Sequence, residues 1–375
     1  MKKKLRVGIL LGGRSVEHEV SLVSAASVMN GLNKEKYEIL PIGITPEGRW
    51  LSAPDAVGLL KSRNASDDLP EHLILPDPRK QGLVEIGDGA KGTVQGIDVI
   101  FPILHGTFGE DGTVQGLLEL ADVPYVGAGV LGSAVGMDKV IQKQVLESAK
   151  IRVAQFVAFS TFEYETDSQK LIERIETELE YPCFVKPANT GSSIGISKAH
   201  DRRELEEAIV LAAEYDRKVL VERSVEKARE IECAVLGNDK PAASTLGEII
   251  PSNEFYDYDA KYVDGKSSAN IPADLPKWAV RKIQYIACKA FKILDCAGMA
   301  RVDFLVQGNG SKIFLNEINT IPGFTSISMF PKLWEASGIS YPELLDRLIE
   351  LAIERHSAKS KLKRTYSPKR DWYKG

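Results

Sequence analysis

Residues 5–13 read LRVGILLGG, and the reading of this stretch and its surroundings decides the fold class. The run 5–11 is apolar, Gly12 and Gly13 bound it, and residues 15–29 then place apolar side chains at helical spacing. Strand, glycine turn and helix in that order open an α/β layer. A second unit of the same kind reads IDVIFPILHG (97–106), an apolar run that ends in a glycine-bearing loop ahead of the helical stretch TVQGLLELA. Ligands of open α/β sheets gather at the carboxyl ends of the strands. Both loops are therefore candidate ligand contacts.

Between the two units, residues 52–92 are rich in Pro, Gly, Asp and Ser with weak periodicity, which predicts irregular connections with short strands. From about residue 128 helices at 138–149, 168–180 and 203–214 alternate with short strands at 183–187 and 218–222. The stripes Leu171, Ile172, Ile175, Leu179 and Leu205, Ala208, Ile209, Ala212 mark packing faces. The segment REIECAVLG, a helix over 277–294, a hairpin over 300–319 and a closing helix over 342–355 follow. The tail is basic and polar and reads as peripheral.

The 375 residues correspond to two or three domains at roughly 100–200 residues each. Hydrophobic and charged fractions of 43% and 27% are those of an ordinary globular protein. A net charge of −4 provides no electrostatic footprint for nucleic acid or an anionic membrane surface, so a small ligand is expected. The start MKKKLRVGILLGG has lysines before an apolar run, yet Arg14 and Glu17 interrupt it and no small-residue cleavage site follows. A first strand, not a signal peptide, is expected. No other apolar stretch reaches the roughly 20 residues that span a bilayer. Cys183, Cys233, Cys288 and Cys296 are scattered among apolar residues without C-x-x-C spacing. They read as buried free thiols of a reducing, cytoplasmic compartment.

Three stretches carry chemistry. In VKPANTGSSIGIS (185–197), Lys186 ends a strand and Gly191, Ser192, Ser193 and Gly195 follow. Small residues let backbone N–H groups approach phosphate oxygens, hydroxyls add donors, and the lysine adds a point charge. The alternative is a plain turn, since neither the G-x-x-x-x-G-K-[ST] nor the G-x-G-x-x-G fingerprint is present. In ARVDFLVQGNGSKIFLNEINTIPGFTS (300–326), two apolar runs flank a QGNGS turn, a hairpin signature. With the turn centred on Asn309, Arg301, Asp303, Glu317 and Asn319 share one face. Oxygen-bearing side chains without His or Cys suit Mg²⁺ bridging nucleotide phosphates; an Arg301–Glu317 salt bridge is the alternative. Finally, NTIPGFTSIS places Pro322 and Gly323 before Thr325 and Ser326, a turn able to face an anion or cap a helix.

Taken together these spacings resemble the ATP-grasp superfamily, and further stretches narrow the resemblance to D-alanine–D-alanine ligases over residues 5–350. They are GGRSVEHEVSL (12–22), HGTFGEDGTVQG (105–116), GMDK (136–139), FYDYDAKY (255–262) and NEINTIPGFTSISMF (316–330). The resemblance implies an α/β protein, α+β overall, of ATP-grasp architecture. An N-terminal parallel α/β substrate-binding domain (1–127), a central subdomain (128–222) and a C-terminal mixed-sheet subdomain with the metal site (223–355) would precede a basic tail (356–375).

It also implies residue roles. Glu17 would bind the ammonium of the first D-alanine, with Ser192 and Tyr262 linked to it; capping of the 15–29 helix and a core tyrosine are the bland alternatives. Lys139, Lys186 and Lys261 would meet nucleotide phosphates, aided by Ser193 in the GSS loop. Glu222 and Val225 would hold adenine, and Glu230 the ribose. Asp303, Glu317 and Asn319 would bind two Mg²⁺ or Mn²⁺ ions. Arg301 and the backbone N–H of Gly323 would stabilise an oxyanion. Ser328 and Met329 would hold the second D-alanine, and His105 would line the site or serve structure. The implied partners are D-alanine, ATP and a second copy of the chain, with no nucleic acid or membrane, and the implied role is supply of peptidoglycan precursors. Ile327 stands where the family often has histidine. A ligase accepting D-serine, or a nucleotide-binding regulator without catalysis, are the competing readings.

Overall fold

The computed structural model describes residues 3–62, 71–86, 94–250 and 268–366. The first sheet is built from β1 (Leu5–Gly12), β2 (Tyr37–Ile44), β3 (Trp50–Ser52), β4 (Glu71–Ile74), β5 (Gly82–Ile86), β6 (Val94–Gly96) and β7 (Val99–Pro102), in the order β6-β5-β4-β3-β2-β1-β7. Strand β1 is its parallel centre, pairing Leu5↔Tyr37 through Gly12↔Ile44 on one side and Val7↔Val99 on the other. Buried on both faces, such a strand reads as a continuous apolar run, which is why LRVGILLGG was decisive. The chain leaves β1 at Gly12, whose φ is +85° and where a Cβ would lie 2.3 Å from the Ile44 carbonyl oxygen; only glycine makes that turn.

Helix α1 (His18–Gly31) begins three residues later than its apolar spacing suggests. Strands β3 to β6 pair antiparallel, so the irregular region extends the parallel centre as a meander and also contains a short helix, α2 (Ala56–Lys61). The capping Asp55, which accepts the Gly58 N–H, is its one sequence signal. Helices α3 (Thr113–Leu120), α4 (Val130–Met137) and α5 (Lys139–Ser148) follow. Asp138 caps α5 by accepting the N–H groups of Val140 and Ile141, and so sets Lys139 on its first turn.

The second sheet, β10-β9-β11-β8, joins β8 (Phe156–Ser160), β9 (Cys183–Pro187), β10 (Ser197–Ala199) and β11 (Lys218–Arg223), all antiparallel. Helices α6 (Thr161–Thr166), α7 (Ser168–Glu178) and α8 (Arg202–Ala213) accompany it, and the two predicted stripes are buried against its strands. The third sheet, β14-β13-β12-β15-β16, comprises β12 (Ala228–Gly237), β13 (Ala242–Ile250), β14 (Ser268–Asn270), β15 (Gly298–Gln307) and β16 (Lys312–Asn319). Helix α9 (Lys277–Ile293) presents Ala279, Ile283, Ala287, Ala290 and Phe291 to it, one apolar face at helical spacing. The core under this sheet also takes in Leu146, Ile151 and Val153.

Helices α10 (Met329–Ala336) and α11 (Tyr341–Ser360) close the described chain. Leu344, Leu345, Leu348 and Ile349 of α11 are buried in one cluster with Val7, Ile9, Leu22 and Val28, so this helix returns to the first sheet. Tyr37 donates to Asp346 Oδ1 at 2.8 Å across the same contact. Beyond α11, Arg364 reaches Asp122. All four cysteines are free, and three of them are buried.

Candidate functional site

Loops and strand ends from all three sheets surround one cavity of about 590 Å³, a volume that suits small molecules. The first sheet contributes Glu17, the residue preceding α1. Its side chain caps nothing in that helix; its carboxylate instead accepts a hydrogen bond from Ser192 Oγ of the second sheet's loop. Glu17 is 5% exposed. A Cβ on Gly191 would lie 2.3 Å from Glu17 Oε2, so the backbone of the GSS loop lies directly against the acid. Ser192 and Ser193 hold φ of 48° and 60°, a left-handed pair uncommon outside glycine and typical of functional loops. The loop's base is fixed by Asp216, which accepts the Asn189 backbone N–H at 2.8 Å and its side-chain amide at 2.7 Å.

Lys186 and Glu222 stand on neighbouring antiparallel strands, β9 and β11. Glu222 pairs with Lys186 and also with Lys143 of α5, which is 1% exposed and donates to the Asn316 carbonyl at 3.2 Å. Burial alone would raise the Glu222 carboxyl, but the charges of Lys143 and then Lys186 outweigh it and bring it to about 2. Burial pulls Lys143 down despite Glu222, whereas Lys186, flanked by Glu222 and Glu317, is raised against its own burial. The expected adenine-side acid is thus held between two cations. Val225, Glu230 and Ser193 also line the cavity. Lys139 does not: its Nζ donates to the Thr190 carbonyl, and it lines a smaller adjoining pocket that shares Ser192, Glu317 and Asn319 with the main one.

The third sheet brings Arg301, Asp303, Glu317 and Asn319 together on the cavity wall, but not through a hairpin centred on Asn309. Near the turn Gln307 faces Lys312 and Phe304 faces Leu315, a register that would set residues of equal parity on opposite faces. A one-residue bulge between Phe304↔Leu315 and Asp303↔Glu317 shifts the pairing, so that Arg301 opposes Asn319 and Asp303 opposes Glu317. Bulges re-aim side chains in this way. Arg301 does not take Glu317 as its main partner. Its guanidinium donates to both oxygens of Asp303, at 2.8 and 2.6 Å, and lies 3.2 Å from Glu232. Burial would lower the guanidinium, yet Asp303 and Glu232 hold it well above its ordinary range. Asn319 donates to Asp303 at 3.1 Å.

After β16 the chain turns through Ile321, Pro322 and Gly323 to Ser328, which precedes α10. Ser328 Oγ accepts the Thr325 backbone N–H at 3.0 Å. The helix start read from this stretch is therefore present, and Gly323, Ser328 and Met329 line the cavity. His105 is buried. Its Nδ1 lies 3.1 Å from the Ile321 carbonyl, an acceptor, so Nδ1 carries the proton and Nε2 accepts from Ser24 Oγ at 3.2 Å. Tyr262 and Lys261 lie outside the described residues. Among the described residues no cluster of three or more His, Cys, Asp or Glu side chains forms a metal site by itself.

Three residues of the site escaped the sequence reading. Glu110 is buried, and burial followed by the charge of Glu17 raises its carboxyl. Glu232 pairs with Arg301, and Lys143 pairs with Glu222. The signals were slight: Glu110 lies inside the quoted HGTFGEDGTVQG, and Lys143 stands four residues from Lys139, one helical turn away on the same face.

His105 supports a stability test. Burial pulls its imidazole from the ordinary 6.5 down to about 4, against a smaller opposing effect of the Ile321 carbonyl. Below pH 6.5 the unfolded chain binds a proton there that the folded chain refuses until about pH 4, so stability falls as the pH is lowered through that window. At about 1.4 kcal/mol per unit the loss is of the order of 3 kcal/mol. Denaturation midpoints of wild type and His105→Gln between pH 6.5 and 4 should converge as the pH falls; parallel curves would contradict the assignment.

Comparison with known proteins places these features in context. Residues 6–128 match the family model described as D-ala D-ala ligase N-terminus, and residues 145–350 match that of the D-ala D-ala ligase C-terminus. The chain is 50% identical over 371 residues to a D-alanine–D-alanine ligase of Acetivibrio thermocellus, covering 95% of this chain and 98% of the relative. It is 52% identical over 360 residues to that of Caldicellulosiruptor bescii, covering 96% and 98%. Among solved structures, the D-alanine-D-alanine ligase from Coxiella burnetii superposes with a TM-score of 0.79 at 39% identity, covering 96% of this chain and 98% of that one. The VanG D-Ala:D-Ser ligase from Enterococcus faecalis superposes with a TM-score of 0.81 at 37% identity, covering 93% and 100%.

Proposed function

The chain belongs to the D-alanine–D-alanine ligase family, and from that premise we propose how its site carries out the ATP-dependent joining of two D-alanine molecules. The observation that carries the reading is the meeting of Glu17 and Ser192 with the Arg301, Asp303, Glu317 and Asn319 face in one cavity. Glu17 binds the ammonium of the first D-alanine, and the Gly191–Ser193 backbone covers it. A carboxylate oxygen of that D-alanine attacks the γ-phosphorus of ATP, the bond to the β-phosphate oxygen breaks, and ADP leaves. Lys139 and Lys186 offset the charge of the phosphates, Lys186 exchanging Glu222 for the nucleotide while Lys143 keeps that acid neutralised.

The amine of a second D-alanine, aligned by Ser328 and Met329, then attacks the carbonyl carbon of the D-alanyl phosphate. Arg301 and the Gly323 N–H receive the negative charge that develops on the carbonyl oxygen. Phosphate departs with its bonding pair and the amine loses a proton, which leaves the dipeptide. Exclusion of water by the loop protects the acyl phosphate from hydrolysis. Val225 and Glu222 contact adenine and Glu230 the ribose; Lys261, Tyr262 and His105 complete the residue roles implied by the resemblance.

Asp303, Glu317 and Asn319 offer oxygen donors only, which suits a hard divalent cation. Two carboxylates and an amide leave room for phosphate and water oxygens, the usual manner of holding Mg²⁺. Such a cation, or a pair of them, would add positive charge beside the triphosphate. The boundaries 1–127, 128–222 and 223–355, a homodimer, action in the cytoplasm and supply of peptidoglycan precursors belong to the same reading. Among the described residues no helix is long and apolar enough to cross a membrane.

Phosphate release measured separately with D-alanine, D-serine, D-lactate and L-alanine tests the reading. Release is expected with D-alanine alone, together with D-alanyl-D-alanine. Release with L-alanine but not D-alanine would sink it, and a mixed product made only when D-serine is added would move the second substrate to D-serine.

A further inference from the structure

We propose that Glu110 is a positioning residue that, with His105, clamps Ile321 from both sides and thereby aims the Gly323 N–H at the reacting carbonyl. The inference rests on the oxyanion role of Gly323 proposed above. One oxygen of Glu110, Oε2, accepts the Gly106 backbone N–H at 2.8 Å, and the other, Oε1, accepts the Ile321 backbone N–H at 3.1 Å. The Ile321 carbonyl in turn accepts from His105 Nδ1 at 3.1 Å. Both hydrogen-bonding groups of one residue on the third sheet's turn are thus held by a single loop of the first sheet, residues 105–110.

Chain geometry carries this restraint forward. The next residue is Pro322, which has no N–H and whose ring fixes φ near −65°. With the Ile321 carbonyl pinned and the proline φ fixed, only the ψ rotation of Pro322 separates the clamp from the Gly323 N–H. The other end of the clamp reaches the ammonium site, because a Cβ on Gly106 would lie 2.5 Å from Glu17 Oε2. Glu110 therefore sets the span between the acid that receives the first D-alanine and the donor that meets its carbonyl oxygen. Both side-chain oxygens must be able to accept, because an N–H group approaches each of them. In glutamine one of those positions becomes an NH₂ facing an N–H.

Glu110→Gln is expected to lower kcat about 100-fold, the cost typical of a displacement near 1 Å in a reacting group. The affinity for a phosphinate dipeptide that mimics the tetrahedral intermediate should fall by the same factor, while the dissociation constant of ATP stays at the wild-type value. His105→Gln releases the opposite side of Ile321, and combined with Glu110→Gln it should cost much less than the product of the two single effects, since both act on one residue. Wild-type turnover in Glu110→Gln, equal losses of ATP and phosphinate binding, or fully multiplicative effects would each overturn the clamp. If Glu110→Gln does not fold, His105→Gln alone must still separate phosphinate from ATP affinity, or the proposal fails. Wild-type phosphate release with D-alanine in the same series isolates the underlying reading: its absence rejects the ligase chemistry, whereas its presence with unaltered variants rejects only the clamp.

Discussion

Arg301→Ala is expected to bind ATP almost as the wild type does and to lose roughly 10²–10³-fold in turnover, the cost of removing one oxyanion donor. The substitution also strips Asp303 and Glu232 of the guanidinium lying 2.6–3.2 Å from them. Leaving the buried Glu232 and the half-buried Asp303 without this guanidinium costs on the order of 3 kcal/mol, the low end for a buried pair, so a lower melting temperature will accompany the loss of activity. Arg301→Lys separates the two effects. Lysine restores a positive charge but not the planar fork that meets both oxygens of Asp303, so the melting temperature should recover most of the loss and the turnover should not. Phosphate-release rates and thermal unfolding of the three proteins decide the matter. Turnover near wild type in the lysine variant would show that charge alone suffices and that Arg301 is not an oriented oxyanion donor.

Gly191→Ala is the second large effect. Its φ is not unusual, so the backbone tolerates alanine, and the obstacle is space: the new methyl would lie 2.3 Å from Glu17 Oε2 and 3.1 Å from Oε1. Either the GSS loop stays away from Glu17 or the acid rotates off the ammonium site. Both outcomes break the Ser192 contact. Catalytic efficiency for D-alanine should fall about 100-fold, as for other misplacements of about 1 Å, with the melting temperature little changed. Isotope-labelled water would additionally report an increase in ATP hydrolysis without dipeptide if the loop no longer excludes solvent. A Gly191→Ala enzyme with wild-type efficiency would mean that the contact between this loop and Glu17 is dispensable.

Much of this architecture is legible in the sequence because local pattern and burial agree there. The run at 5–11 is buried on both faces and reads as what it is, and the stripes of α7 and α8 fall where the period places them. The hairpin face is instructive in a different way. Its four polar residues do converge, yet the Asn309 centre supplies the wrong partners, and a bulge that no residue type announces restores the face. No local pattern joins Glu17 to Ser192, 175 residues away; that link is expected only from the resemblance, and the structure contains it. Glu110, Lys143 and Glu232 were missed for the same reason. An acid in a glycine-rich loop and a lysine on a helix are ordinary surface features, and only packing between distant segments makes them buried partners.

The closing helix α11 has a consequence for how the molecule can be made and cut. It is translated long after β1 and α1, yet its leucines cover Val7, Ile9, Leu22 and Val28. A nascent chain that has delivered only the first sheet therefore carries an uncovered apolar surface, the kind that recruits chaperones or self-associates. The stretch 6–128 is an evolutionary module by its family match but lacks its own lid. Expressed in isolation it would be a sticky fragment, and its solubility would depend on supplying α11 in trans.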